Sequence, residues 1–167
     1  QVATFTPDNV APTLEIFDLN MATGTLYMSF SETVEIDSLK PAKINIENNN
    51  ATGVPASVPL SGGTKAEISA TELKLTLKKI DLNAIKADVN LAFDQASTYL
   101  SAEAGFITDP NVPTPNSAVD LVPKAVRNYA YDTVAPELVS FGLNMNTEKL
   151  TLSFTETIKT DSFVKGQ

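Results

Sequence analysis

Residues Asp8–Leu39 read DNVAPTLEIFDLNMATGTLYMSFSETVEIDSL, and Asp132–Phe163 read DTVAPELVSFGLNMNTEKLTLSFTETIKTDSF. The two stretches align without a gap at an offset of 124 residues, and 17 of the 32 positions are identical. Where they differ, apolar positions stay apolar: Met28 becomes Leu152, Val34 becomes Ile158, Leu39 becomes Phe163. The chain thus divides into residues 1–10, the end of a preceding repeat and a hinge; 11–133, one complete repeat; and 134–167, the first strands of the next. Gln1 stands where an initiating Met would, so the chain is expected to begin inside a longer polypeptide or after processing.

Periodicity inside the repeat is that of strands. Leu26, Met28 and Phe30 alternate with Tyr27 and Ser29, as do Leu150, Leu152 and Phe154 with Thr151 and Ser153. Leu14 stands in opposite parity to Phe17, Leu19 and Met21, which predicts a bulge in the first strand. Further strands are expected at 43–48, 58–60, 73–77, 97–100 and 125–131, with turns at 20–24, 48–53, 61–64 and 109–116. Asp81 is read as the cap of a short helix over 82–86, and Asp37–Leu39 as a single helical turn. Many short strands with turns every 8–12 residues indicate an all-β antiparallel sandwich with one or two single-turn helices. A hairpin such as 135–163 is marginal alone and needs a partner sheet, from neighbouring repeats or from other copies in a filament.

Composition closes most chemistry. The 167 residues contain no Cys, His or Trp, so there is no Ser-His-Asp triad, thiol nucleophile, disulfide or typical zinc, copper or haem site. Twenty acidic residues stand against 12 basic ones, for a net charge of −8, and Arg127 is the only arginine. Nucleic acid and anionic lipid are disfavoured as partners. Apolar runs of a few residues leave no membrane-inserted segment. The expectation is a protein that is not an enzyme.

Asp132-Thr133-Val134-Ala135-Pro136 resembles the DTTAP opening of tandem bacterial immunoglobulin-like repeats. Leu26–Val34 resembles the L-x-F-S-E-P-V strand of the S-layer-type Ig-like module, with Thr33 where Pro often stands. Asp81–Lys86, followed by Thr98-Tyr99-Leu100, is similar to long repeats in giant surface proteins of unicellular algae and other protists. The resemblance implies an Ig-like β-sandwich repeat in an extracellular or cell-surface rod or filament with a structural or adhesive role. The alternative is a carbohydrate- or ice-binding accessory module, for which four tyrosines and no Trp are a thin stacking platform. At Asp109–Asn116 the sequence departs from the family's D-x-x-G-N turn, because Asp109-Pro110-Asn111-Val112 has no Gly. Ion chemistry at that turn is therefore not carried over.

Asp8 and Asp132 hold equivalent hinge positions. They are candidate Ca²⁺ ligands, since hard cations need several oxygens, or else turn-initiating residues ahead of Val-Ala-Pro. Glu32 and Glu156 are in phase with inward-facing residues, and a carboxylate there is expected to accept backbone N–H bonds that hold the turn into Asp37–Leu39. Asn50-Ala51-Thr52 is the one glycosylation sequon, in a polar turn, and makes glycans candidate partners. Pro110–Pro115 reads as an extended, polyproline-like loop.

Overall fold

Alternating apolar side chains make the first two strands, β1 (Leu14–Asn20) and β2 (Thr25–Phe30), which pair antiparallel from Leu14↔Phe30 to Asn20↔Thr25. The expected bulge is present. Register slips between Leu14 and Ile16, so Leu14, Phe17 and Leu19 are all buried despite their mixed parity. Asn20 Oδ1 accepts the Thr23 N–H at 3.0 Å, and Gly24 closes the turn at φ 62°. The structure is a computed structural model that describes residues 4, 6–48, 56–111, 113–158 and 160. The chain forms two compact units, Gln1–Asp132 and Thr133–Gln167.

In the first unit, two 3-10 turns at Ile36–Ser38 and Pro41–Lys43 lead into β3 (Ile44–Glu47) and β4 (Ser57–Pro59). There follow β5 (Gly63–Ser69), β6 (Glu72–Leu77), helix α1 (Lys79–Ala87), β7 (Tyr99–Ala102), β8 (Leu121–Ala125) and β9 (Asn128–Ala130). One sheet has the order β5-β6-β2-β1-β9 and the other β4-β3-β7-β8. A single core joins Phe17, Leu26, Met28, Phe30 and Leu75 of the first sheet to Ile44, Ile46 and Leu100 of the second. The protein is an all-β sandwich.

Several elements differ from their sequence reading. The helix starts earlier than Asp81: Lys78 holds the N-cap position without a side-chain cap bond. Asp81 lies in the first turn, buried, and accepts the Ser61 N–H at 2.8 Å, tying the helix to the segment before β5. Strand β7 begins at Tyr99 rather than 97, because Asp94 Oδ1 accepts the Ser97 N–H and the Asp94 carbonyl accepts the Thr98 hydroxyl. The stretch 125–131 is two strands, not one, and the second, β9, runs parallel to β1. That one parallel pair in an otherwise antiparallel sheet is stapled by Arg127, which donates from Nε to Asp18 Oδ1 at 2.9 Å and from its terminal nitrogen to Oδ2. The Arg127 hydrogen bond, outweighing partial burial, holds the Asp18 carboxyl below the usual range.

The second unit is a hairpin of β10 (Leu138–Asn144) and β11 (Lys149–Phe154). It repeats the first hairpin bond for bond. Leu138↔Phe154, Phe141↔Leu152 and Leu143↔Leu150 match their counterparts 124 residues earlier, with the bulge again after the first leucine. The Thr13 N–H donates to Ser31 Oγ, and the Glu137 N–H donates to Thr155 Oγ1. Asn144 Oδ1 accepts the Thr147 N–H as Asn20 Oδ1 accepts that of Thr23. Glu148 takes φ 51°, where the first copy has Gly24. Burial differs sharply. Phe17 is 1% exposed and Phe141 70%; Leu26 is 0% exposed and Leu150 53%.

Candidate metal centre

Three loops bring carboxylates together in the first unit. Asp8 precedes β1 and folds its own segment, since its Oδ1 accepts the Val10 N–H at 3.0 Å. Its main-chain oxygen accepts the side-chain amides of Asn111 and Asn116 at 3.1 and 3.2 Å, fastening this segment to the 109–116 loop. Glu32 lies two residues past β2. The backbone around it is fixed by Ser31 N–H to the Thr13 carbonyl and Val34 N–H to the Ala70 carbonyl, both at 3.0 Å.

Asp109 is the anchor of its loop and only 3% exposed. Its Oδ1 accepts the N–H groups of Asn111 and Asn116 at 3.2 and 2.8 Å, and its Oδ2 accepts Asn116 Nδ2 at 2.8 Å. The Asp109 N–H meets the Asn116 carbonyl at 3.1 Å, and Thr108 bridges Ser117. The ends of the loop are therefore closed on each other at Asp109 and Asn116; Val112 lies outside the described residues. A buried acceptor that gathers three donors fixes where its chain goes.

Oxygens of Asp8, Glu32 and Asp109 all lie within 4.8 Å of one another. Burial pushes Asp109 up, but the hydrogen bonds from Asn116 and Asn111 prevail and hold its carboxyl below the usual range. Glu32 goes the other way. Burial, and then the charges of Asp8 and Asp109, raise its carboxyl above the usual range. Its Oε1 is sealed from solvent and accepts no hydrogen bond. The turn that glutamate was expected to hold is held by Glu35 instead, whose Oε1 accepts the Asp37 N–H. Two like charges about 4 Å apart repel by roughly 1 kcal/mol in water and about 4 kcal/mol at an effective dielectric of 20. An all-oxygen, all-anionic cluster of this kind suits a hard divalent cation.

Of the two hinge aspartates, Asp8 joins this cluster. Asp132 does not belong to a comparable one among the described residues; its Oδ2 is ion-paired with Lys86 Nζ at 2.7 Å. Asn50, with Ala51 and Thr52, lies outside the described residues. Sequence reasoning missed Asp109 as a companion of Asp8. The available signal was local: an Asp with Asn at +2 and +7 is the pattern of a side chain capping its own loop.

On the outer face of the first sheet, a depression of about 120 Å³ is lined by residues including Ile16, Asp18, Tyr27, Ile68, Glu72 and Arg127. Its Asp18 and Arg127 are already paired to each other. Among the described residues no helix is long and apolar enough to cross a membrane.

No protein-family model matches the chain, and no curated protein matches it. Among solved structures it is similar to the N-terminal part of the bacterial S-layer protein SbsC, at 13% identity and a TM-score of 0.44. The match covers 90% of this chain and 33% of that one, so the chain spans about a third of that structure's length.

Proposed function

We propose that this chain is a segment of an extracellular structural protein, a non-catalytic rod at a cell surface built from tandem sandwich modules. One observation carries the reading. The hairpin β10–β11 reproduces β1–β2 in register, bulge and turn, yet exposes the apolar face that the first copy buries. In the first unit that face packs into one core with β3 and β7 of the opposite sheet. A strand's two faces are fixed by its register, so the second hairpin presents the same face to an equivalent set of strands. We therefore read β10–β11 as the opening of a second module, completed by a following repeat of the same polypeptide. Surface placement draws its support from the hinge and strand motifs that resemble Ig-like surface repeats.

The test is to complete the module. Residues 40–132 of this chain are joined after Phe163, where the 124-residue offset places their equivalents. The extended chain should show slow hydrogen exchange at Leu143, Leu150 and Leu152, at rates near those of Leu19, Leu26 and Met28. If β10–β11 exchanges as fast in the fusion as in the 167-residue chain, the module reading is wrong. Antibody raised against the folded chain should label intact cells of the source; labelling only after permeabilisation would remove the surface placement.

A further inference from the structure

We propose that the parallel pair of β1 with β9, stapled by Asp18 and Arg127, is a force-resisting latch that keeps the first unit folded when the chain is pulled along its length. The use of the latch rests on the rod reading; its geometry does not. Among the described residues β1 is the first strand of the unit and β9 the last, and β9 ends its sheet, next to β1. Because the two run parallel, the chain enters β1 at one end of the pair and leaves β9 at the other. Tension on the two ends therefore pulls β1 and β9 along their own axes in opposite directions. Bonds that cross between the strands then share the force and break together. An antiparallel pair, entered and left at the same end, would open one bond at a time.

Cross-links are concentrated on this short pair. The Phe17 carbonyl accepts the Arg127 N–H, and the Ala130 carbonyl accepts the Met21 N–H, both at 2.9 Å. Between them Asp18 Oδ1 accepts the Asn128 N–H at 3.1 Å as well as Arg127 Nε at 2.9 Å, while Oδ2 accepts the terminal guanidinium nitrogen. One carboxylate of β1 thus grips both backbone and side chain where the chain enters β9, and two-point bonds between charged groups are the strongest of this set. Asp18 is not needed by its own hairpin. Gly142 takes its place in β10, where register, bulge and turn are all kept. What Asp18 adds is the tie to β9. The Arg127 side chain is 55% exposed, and an ion pair that open adds little to equilibrium stability. Under tension the governing quantity is the unfolding barrier, to which every bond that must break at once contributes.

Constant-force pulling on the 167-residue chain between two handle domains tests the latch. Its event is identified by the release of residues 14–130, roughly 40 nm of extended chain. The chain has no Cys, so Thr23→Cys places a unique thiol in the exposed β1–β2 turn, at the end of the pair where the chain leaves β9. Pulled from its two termini, this variant should survive at least about tenfold longer than when pulled, at the same force, from its thiol and its C-terminus, which peels β9 away bond by bond. Asp18→Asn and Arg127→Gln should each shorten the end-to-end lifetime about tenfold. Ile46→Val, which removes a methyl from the core side of the other sheet, should shift the urea midpoint at least as much yet leave that lifetime within about twofold. Equal lifetimes in the two pulling directions overturn the proposal, and so do staple variants whose lifetimes change no more than that of Ile46→Val. If the staple variants do not fold, the two pulling directions decide alone, since they compare one protein with itself. The latch and the rod reading fail separately: pulling reports on the first unit, whereas the fusion reports on β10–β11.

Discussion

Leu26 and Leu150 are one residue in two settings, and truncating each to alanine separates the covered hairpin from the uncovered one. Leu26 has no exposed surface and sits in the core with Met28, Leu75 and Ile44. Removing a fully buried leucine side chain loses its transfer energy and leaves a cavity, together about 3–5 kcal/mol. With a urea slope of about 2 kcal/mol/M, a loss of about 3 kcal/mol lowers the midpoint by about 1.5 M. Leu150 is 53% exposed, and its truncation leaves no sealed cavity. Tyr27, Tyr99, Tyr129 and Tyr131 all belong to the first unit, so tyrosine near-UV circular dichroism follows that unit alone. Leu26→Ala should move the tyrosine-detected midpoint by the amount above, and Leu150→Ala by less than about 0.2 M. Equal shifts would refute the reasoning, because the face at Leu150 would then be supported by the first unit. A shift below about 0.5 M for Leu26→Ala would mean that β2 does not face the core as described.

Two further outcomes concern local chemistry. Tyr129 donates its hydroxyl to the Ala92 carbonyl and stacks edge-on against Tyr131, with centroids 5.0 Å apart. Burial, with the neighbouring Tyr131, Asp94 and Asp132, pushes its phenol up to about 12 from 10.0. The raised value means the folded state keeps its proton longer, so the associated stability is whole below pH 10 and lost as pH rises toward 12. Alkaline melts should show this loss in the wild type and not in Tyr129→Phe. Glu148 occupies the left-handed region that Gly24 occupies in the first copy, a conformation that costs a non-glycine residue roughly 1–2 kcal/mol. Glu148→Gly should slow exchange in β10–β11 about fivefold, equivalent to about 1 kcal/mol; unchanged or faster exchange would mean the turn is not strained.

The parts of the fold legible in the sequence are those where one face is buried. Alternation marked β2 and β6, and the parity change at Leu14 marked the bulge in β1. Edges were not legible. Strand β5 is the outer strand of its sheet and mostly exposed, so GTKAEIS shows no period of two and its glycines read as a turn. The backbone passes so closely there that a Cβ on Gly63 would lie 2.4 Å from the Thr76 carbonyl oxygen. Strand β8 carries Pro123 and lies at the edge of the second sheet, where a missing N–H does no harm. The parallel pairing of β1 with β9 joins residues 110 apart, and neither strand's own pattern encodes it.

The candidate site was half legible for a related reason. Asp8 was marked by its repeated position, and Glu32 by its phase in the strand that buries Phe30. A repeat identifies such residues because both copies keep them: Asp8 with Asp132, Glu32 with Glu156. Asp109 has no second copy within the 167 residues at the 124-residue offset, so self-comparison was silent on it. Its role depends on a loop that folds around its carboxylate and delivers it to residues 77 and 101 positions away in sequence. That geometry also explains why the two hinges differ. Asp8 has a preorganised third carboxylate beside it, whereas Asp132 has the Lys86 ammonium at 2.7 Å. An aspartate that meets an ammonium is already compensated, and one that meets two carboxylates is not. Hinge sequences that differ only at Asn9 and Thr133 thus carry different chemistry according to what the 109–116 loop, or its counterpart in a completed second module, brings to them.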